Sequence, residues 1–363
     1  MLHTSSGKKV GILTLPLTHN YGGILQCVAL QKVLVDLGCD VLILDRKYPE
    51  PFWKRTLKKT LFGFSFAEIE RFKTKHFKNI SEPIRTSEGL KEAVLESNIE
   101  AVVVGSDQIW REQYVSGFSL DYFLESLSEI PIKKIAYAAS FGTGTIRKPV
   151  SNVNISDLLK KFSGISVRET SGLKILEENF NIHYATQALD PTLLLPSSFY
   201  ESISAEAKTP PSKKTLAVYL LDETEEKLTQ INQVAETMGL SVVQICHQPT
   251  HTLRRIFQQK KDVAHWLQTI QNAEVVITDS YHGMLFSILF KKQFVVWVNN
   301  KRGATRFNSI AKQLGLQDRL VQDLQNTNIG GWYTEIIDYK TVYSKLETLQ
   351  EASLAFLKTN LSI

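Results

Sequence analysis

Cysteine is scarce in this chain: Cys27, Cys39 and Cys246 are the only three in 363 residues. None shares a metal-type spacing with another, and Cys27 and Cys246 lie in apolar surroundings, so they read as small core residues. A disulfide scaffold is excluded, and a reducing compartment is indicated. Long apolar runs are also missing. None approaches the roughly 20 residues needed to span a bilayer, and Met1–Lys9 is too polar for a secretory signal. The expected location is the cytoplasm. The Gly22-Gly23 pair lacks the GxGxxG pattern, so no dinucleotide site is read from it. No internal repeat is visible. Charge of one sign is only slightly in excess, with 42 Lys and Arg against 37 Asp and Glu. The excess gathers at Lys54–Lys59 and Arg71–Lys78, among aromatic residues. Such a run is a solvated helix face, a surface for anionic lipid or glycan, or a nucleic-acid groove. Nucleic acid is not the expected partner.

What is present is an ordinary soluble composition, 43% hydrophobic and 22% charged, in a chain too long for one typical core. Apolar runs with strand character alternate with segments of helical period. Val10–Leu15, Val41–Leu44, Ile99–Val104, Ile135–Ala139, Gly164–Val167 and His183–Leu189 are expected strands. Ile24–Leu37, Glu88–Glu96, Ile155–Phe162 and Gly172–Phe180 are expected helices. Pro196–Lys214 lacks periodicity and reads as a linker. A second series follows: strands at Thr215–Leu221, Ser241–Cys246, Val275–Ile277, Phe294–Val298 and Leu320–Val321, with helices at Glu223–Met238, Asp262–Asn272, Tyr281–Phe290 and Ser309–Leu314. Tyr339–Leu361 closes the chain as a long amphipathic helix. The expectation is an α/β protein of two doubly wound, Rossmann-like domains facing a cleft. Residues 1–195 form the first, 196–214 the linker and 215–335 the second. The helix in 336–363 packs back on the first domain.

The polar residues collect at the carboxyl ends of the expected strands, where open α/β sheets bind ligands. In the first half these are Asn20-Tyr21-Gly22, Ser106-Asp107-Gln108 with Trp110, and Arg168-Glu169. In the second half they are Asp279-Ser280 with His282, and Arg302 to Arg306. The stretch Val275–Phe290 is the most informative. It reads as strand, polar corner and helix, with His282 in the helix's first turn. An anion is favoured at such a helix start, and an imidazole there can hold it or pass a proton. Arginine suits carboxylate and phosphate through its two parallel donors. The set describes a receptor for a small, multiply charged anion, with an aromatic and carboxylate group suited to a carbohydrate. Each residue also has a structural reading. Asp279 or Ser280 caps the helix, Arg168 bridges to a carboxylate, Trp110 fills the core, Asp107 caps a turn, and Arg306 is an exposed charge at a helix start.

Taken in order, Asn20-Tyr21-Gly22-Gly23-Ile-Leu-Gln26, Gly105-Ser106-Asp107-Gln108-Ile-Trp110, Tyr137-Ala-Ala-Ser140-Phe-Gly142, Ile-Ser166-Val-Arg168-Glu169, Leu189-Asp190-Pro191 and Thr278-Asp279-Ser280-Tyr281-His282-Gly283 resemble the polysaccharide pyruvyl transferase family. The resemblance runs over most of the chain. It implies a GT-B-like fold and transfer of pyruvate from phosphoenolpyruvate to a sugar as a ketal, with no cofactor and no metal. It implies donor binding by Arg168, reaching the cleft, and by the helix start Ser280, Tyr281 and Gly283, with His282 as the catalytic residue. Where relatives carry an arginine two residues before the histidine, this chain has Ser280. Arg306, or Arg302, is expected to supply that charge. Asn20, Tyr21, Gly22, Ser106, Asp107, Gln108 and Trp110 are expected to meet the acceptor or order its loops. The acceptor is a sugar or lipid-linked oligosaccharide of a surface polysaccharide or its precursor. Phe52–Lys78 hints at a membrane-borne acceptor and peripheral association with the inner face of the membrane. The alternatives are a nucleotide-sugar-dependent glycosyltransferase on the same architecture and a non-catalytic glycan-binding relative.

Overall fold

The computed structural model describes residues 7–18, 20–47, 68–111, 119–145, 154–208, 214–245, 262–298, 303–322, 324 and 335–363. They fall into two compact units. The first takes in residues 7–47, 73–195 and 347–363, and the second 68–72 and 196–346.

In the first unit six parallel strands form one sheet: β1 (Lys9–Leu13), β2 (Asp40–Ile43), β3 (Ala101–Asp107), β4 (Lys133–Ala139), β5 (Gly164–Val167) and β6 (Thr186–Gln187). Their order is β2-β1-β3-β4-β5-β6, so it reverses between β1 and β3. All seven residues of β3 are buried, as expected of a central parallel strand with helices over both faces. Its Val102 and Val104 join Leu13, Ile165 and Leu176 in one apolar cluster. The helix Tyr21–Asp36 buries most of its length, from Tyr21 to Leu34. The helix Ser87–Glu96 starts on Thr86, whose hydroxyl accepts from the Gly89 N–H, a capping bond of the usual kind. At Gly105 the chain takes φ +124°, and an added Cβ would lie 2.2 Å from the Tyr137 carbonyl oxygen. Only glycine lets β3 and β4 approach this closely. The expected strand His183–Leu189 shrinks to two residues at the sheet's edge.

The second unit holds β7 (Thr215–Tyr219), β8 (Ser241–Gln244), β9 (Val275–Thr278), β10 (Gln293–Trp297) and β11 (Leu320–Val321). All pair in parallel, in the order β11-β10-β9-β7-β8. The reversal lies between β7 and β9. Leu216, Val218, Val275, Ile277 and Val295 supply the core of one face.

Two expectations are corrected. The segment expected as a linker contains the helix Ser197–Ser204. Its Tyr200 is fully buried and meets Phe286 edge-on at 4.9 Å. Apolar positions spaced Phe199, Tyr200, Ile203 were masked by the surrounding serines. The region Arg71–Lys78 is not a uniformly solvated face. Arg71 pairs with Glu68 on the surface, but Lys73 is buried. In the terminal helix Tyr339–Leu361, residues from Glu347 onward belong to the first unit. There Ser353 Oγ accepts from the Leu189 N–H, and Phe356 packs on Tyr137. The basic run Lys54–Lys59, Arg302 and Cys246 lie outside the described residues. Among the described residues no helix is long and apolar enough to cross a membrane.

Candidate functional site

In the second unit the polar corner after β9 forms as the sequence pattern requires. Ser280 is the N-cap of the helix Tyr281–Leu289, with extended φ/ψ and its hydroxyl 3.4 Å from the Gly283 N–H. His282 is the second residue of that helix and retains 5% of its surface. Thr278 anchors the corner: its hydroxyl donates to the Tyr219 carbonyl at 2.7 Å and accepts from the Ser280 N–H at 3.0 Å. Gly283 is needed for packing. A Cβ there would meet Thr278 Oγ1 at 2.3 Å. Gly283 is buried and serves the helix–strand contact.

Arg306 departs from the expected exposed charge. It is 6% exposed, in the first turn of the helix Ala304–Leu314, and its guanidinium carbon lies 5.3 Å from the Tyr281 ring centroid. Tyr281 in turn meets His282 ring to ring at 5.7 Å. Stacking on an aromatic face stabilises the cation by about 0.5–2 kcal/mol. A cation at a helix start opposes the helix dipole unless an anion is near. Arg306, Tyr281 and His282 therefore form one contiguous group, drawn from the first turns of two helices.

Asp279 turns the other way, across the ends of β9 and β7. Its carboxylate accepts the Leu221 N–H at 2.5 Å and the Asp222 N–H at 3.0 Å. Lys227 Nζ is 3.6 Å away. Burial pushes its pKa above the usual carboxylate value, against the pull of these amides and the lysine.

The first unit places its expected site residues differently. Arg168 is 3% exposed. It donates to Asp190 Oδ2 at 2.7 Å and to Asp107 Oδ1 at 3.0 Å. Asp190 also accepts the backbone N–H and hydroxyl of Thr192. Of the two readings of Arg168, the structure shows the carboxylate bridge. The guanidinium is buried between these two carboxylates. Asp107 is likewise a partner of Arg168. Trp110 is core: Nε1 donates to the Tyr122 carbonyl, and the ring stacks on Phe123 at 5.5 Å. Gln108 is buried and accepts from Arg111 at 2.8 Å. Tyr21, Gly22 and Ser106 are buried within the helix and sheet ends. Asn20 alone of this group is exposed.

A residue whose role the sequence reading missed is Gln26, fully buried in the helix Tyr21–Asp36. Its Nε2 donates to Thr14 Oγ1 at 2.9 Å, and its Oε1 accepts from the Ser106 N–H at 3.1 Å. One amide thus ties the ends of β1 and β3 at the first sheet's reversal. A glutamine on an otherwise apolar helix face was the available signal. Among the described residues no group of three or more His, Cys, Asp or Glu could hold a metal ion.

Two parallel Rossmann-like units of this kind define the GT-B class. Solved structures agree. The chain is similar to the Arabidopsis thaliana protein UGT89C1 complexed with UDP-L-rhamnose, at 9% identity over 99% of this chain and 100% of that one, with a TM-score of 0.56. The UDP-GlcNAc 2-epimerase of Neisseria meningitidis bound to UDP-GlcNAc matches at 9% identity over 96% and 100%, with a TM-score of 0.54. The UDP-N-acetylglucosamine 2-epimerase of Rickettsia bellii matches at 9% over 98% and 97%, also with 0.54. At such identities the likeness is one of fold. No curated protein matches the sequence. The family model for polysaccharide pyruvyl transferase matches residues 20–302. The chain belongs to that family and is a transferase with a role in polysaccharide pyruvylation.

Proposed function

We propose that this transferase moves pyruvate from phosphoenolpyruvate to two hydroxyls of one sugar, forming a ketal and releasing phosphate. The observation that carries the reading is the group at the start of the helix Tyr281–Leu289, where Arg306 lies over Tyr281 beside His282. Phosphoenolpyruvate bears a carboxylate and a phosphate on one enol carbon. Protonation of its methylene carbon makes that carbon oxocarbenium-like. One sugar hydroxyl adds to it and loses its proton. Phosphate then leaves, and the second hydroxyl closes the ketal. Arg306 supplies the positive charge that Ser280 does not, and the helix start supplies N–H dipoles. His282 transfers the proton or steadies the departing phosphate, a contribution of about 10²–10⁴-fold for a positioned acid or base. On the acceptor side Asn20 is the exposed candidate. The sugar belongs to a surface polysaccharide or its lipid-linked precursor, met at the inner face of the membrane.

Release of phosphate from phosphoenolpyruvate in the presence of glycan tests the reading. His282→Ala is expected to slow it by about 10²–10⁴-fold. Turnover near the wild-type rate removes His282 from the mechanism. Arg306→Ala is expected to weaken phosphoenolpyruvate binding about tenfold or more, and unchanged affinity counts against Arg306 as the substitute charge. Calorimetry with nucleotide sugars in parallel separates the glycosyltransferase reading, which the likeness to UDP-bound structures favours.

A further inference from the structure

Where strand order reverses in an open α/β sheet, a crevice opens at the carboxyl ends of the strands, and nucleotides bind there. In the second unit that place lies between β7 and β9. It is filled by the chain itself. The Leu221 and Asp222 amides, just beyond β7, both donate to the Asp279 carboxylate, just beyond β9. Backbone amides at a strand end are the donors a nucleotide phosphate takes. Lys227 is committed as well. Its ammonium lies 3.6 Å from Asp279 Oδ2, donates to the Asp222 carbonyl at 2.8 Å, and sits 5.2 Å from the Trp297 ring centroid. Asp279 is 1% exposed.

We propose that Asp279 determines specificity: it is a built-in anion that occupies the place of a nucleotide phosphate and closes the second unit to nucleoside diphosphates. An arriving diphosphate would meet a buried negative charge, and the two amides and the ammonium are already engaged by a carboxylate. Two like anions cannot share one set of donors in a site of low dielectric. The fold is shared with UDP-bound proteins, and this one side chain removes the subsite that a nucleotide would use. The inference stands apart from pyruvyl transfer and does not depend on it.

The test is calorimetry on the full chain with UDP and with inorganic phosphate. The wild type is expected to show no saturable UDP binding. Asp279→Gly removes the carboxylate and leaves two amides and Lys227 around the vacated position. Its phosphate affinity is expected to rise at least about tenfold over wild type, and adding Lys227→Ala is expected to abolish the gain. Saturable UDP binding by the wild type overturns the proposal. So does a folded Asp279→Gly chain, with unchanged circular dichroism, that binds phosphate no better than wild type. If the glycine variant does not fold, the wild-type UDP titration decides alone. Phosphate release from phosphoenolpyruvate is a separate readout, so failure of one reading leaves the other standing.

Discussion

Arg168 offers the sharpest perturbation, because two roles for it predict opposite results. In the structure its guanidinium bridges Asp107 and Asp190, with side-chain exposures of 1%, 4% and 0%. Arg168→Ala leaves two carboxylates buried with their shared cation gone. Removing one partner of a buried ion pair costs about 3–5 kcal/mol. Here two anions are stranded in place of one, so the upper end of that range applies. For a unit of this size 1 kcal/mol moves the melting temperature by about 2–4 °C, so a loss of about 4–5 kcal/mol predicts a drop of roughly 8–20 °C. The assay is thermal melting followed by circular dichroism. A companion triple variant, Arg168→Met with Asp107→Leu and Asp190→Leu, replaces all three charges with apolar groups. It is expected to recover much of the loss, since well-packed apolar replacements of buried ion groups are often neutral or better. A melting temperature for Arg168→Ala within experimental error of wild type, together with lost phosphoenolpyruvate binding, would refute the clamp and restore Arg168 as a ligand.

Two further outcomes are expected from the second unit. Gly283→Ala places a Cβ 2.3 Å from Thr278 Oγ1, which forces the helix Tyr281–Leu289 off β9; a cost of about 1–3 kcal/mol and reduced transferase activity are expected in melting and turnover assays, and wild-type behaviour in both would show that the corner is not tightly packed. For Asp279, burial holds the folded pKa above the ordinary 3.8, so the folded chain keeps this proton to higher pH than the unfolded chain. Between 3.8 and the raised value the native state binds more protons, and this residue's contribution to stability falls as pH rises through that window. Urea titrations across acid pH are expected to show this slope in the wild type and not in Asp279→Asn; identical slopes in both would remove Asp279 as its source.

Much of the fold was legible because it is carried by local pattern. Ile99–Val104, apolar but for Glu100, reads as a strand covered on both faces, and the strand Ala101–Asp107 is buried along its whole length. Asp279 or Ser280 reads as a cap, and it is Ser280 whose hydroxyl faces the Gly283 N–H. The helix Ser197–Ser204 was not legible, because its few apolar residues lie among serines and its stability comes from Tyr200 against Phe286. The division of labour among the candidate site residues was not legible. Arg168 and Arg306 look alike in sequence, yet one is clamped by carboxylates and the other is stacked beside the histidine. Trp110 and Gln108 follow a strand as binding residues often do, but packing against Phe123 and a bond from Arg111 account for them.

By itself the sequence determined the alternation of strands and helices, the polar strand ends and the family, since each depends on neighbours along the chain or on motifs in order. Only the tertiary structure decided which charges are spent inside the molecule. Arg168 meets Asp107 across 61 positions, and Asp279 meets Leu221 across 58. Whether a charged group is a ligand or a strut depends on what surrounds it in a medium of low dielectric, and that surrounding is assembled from distant segments when the sheet forms.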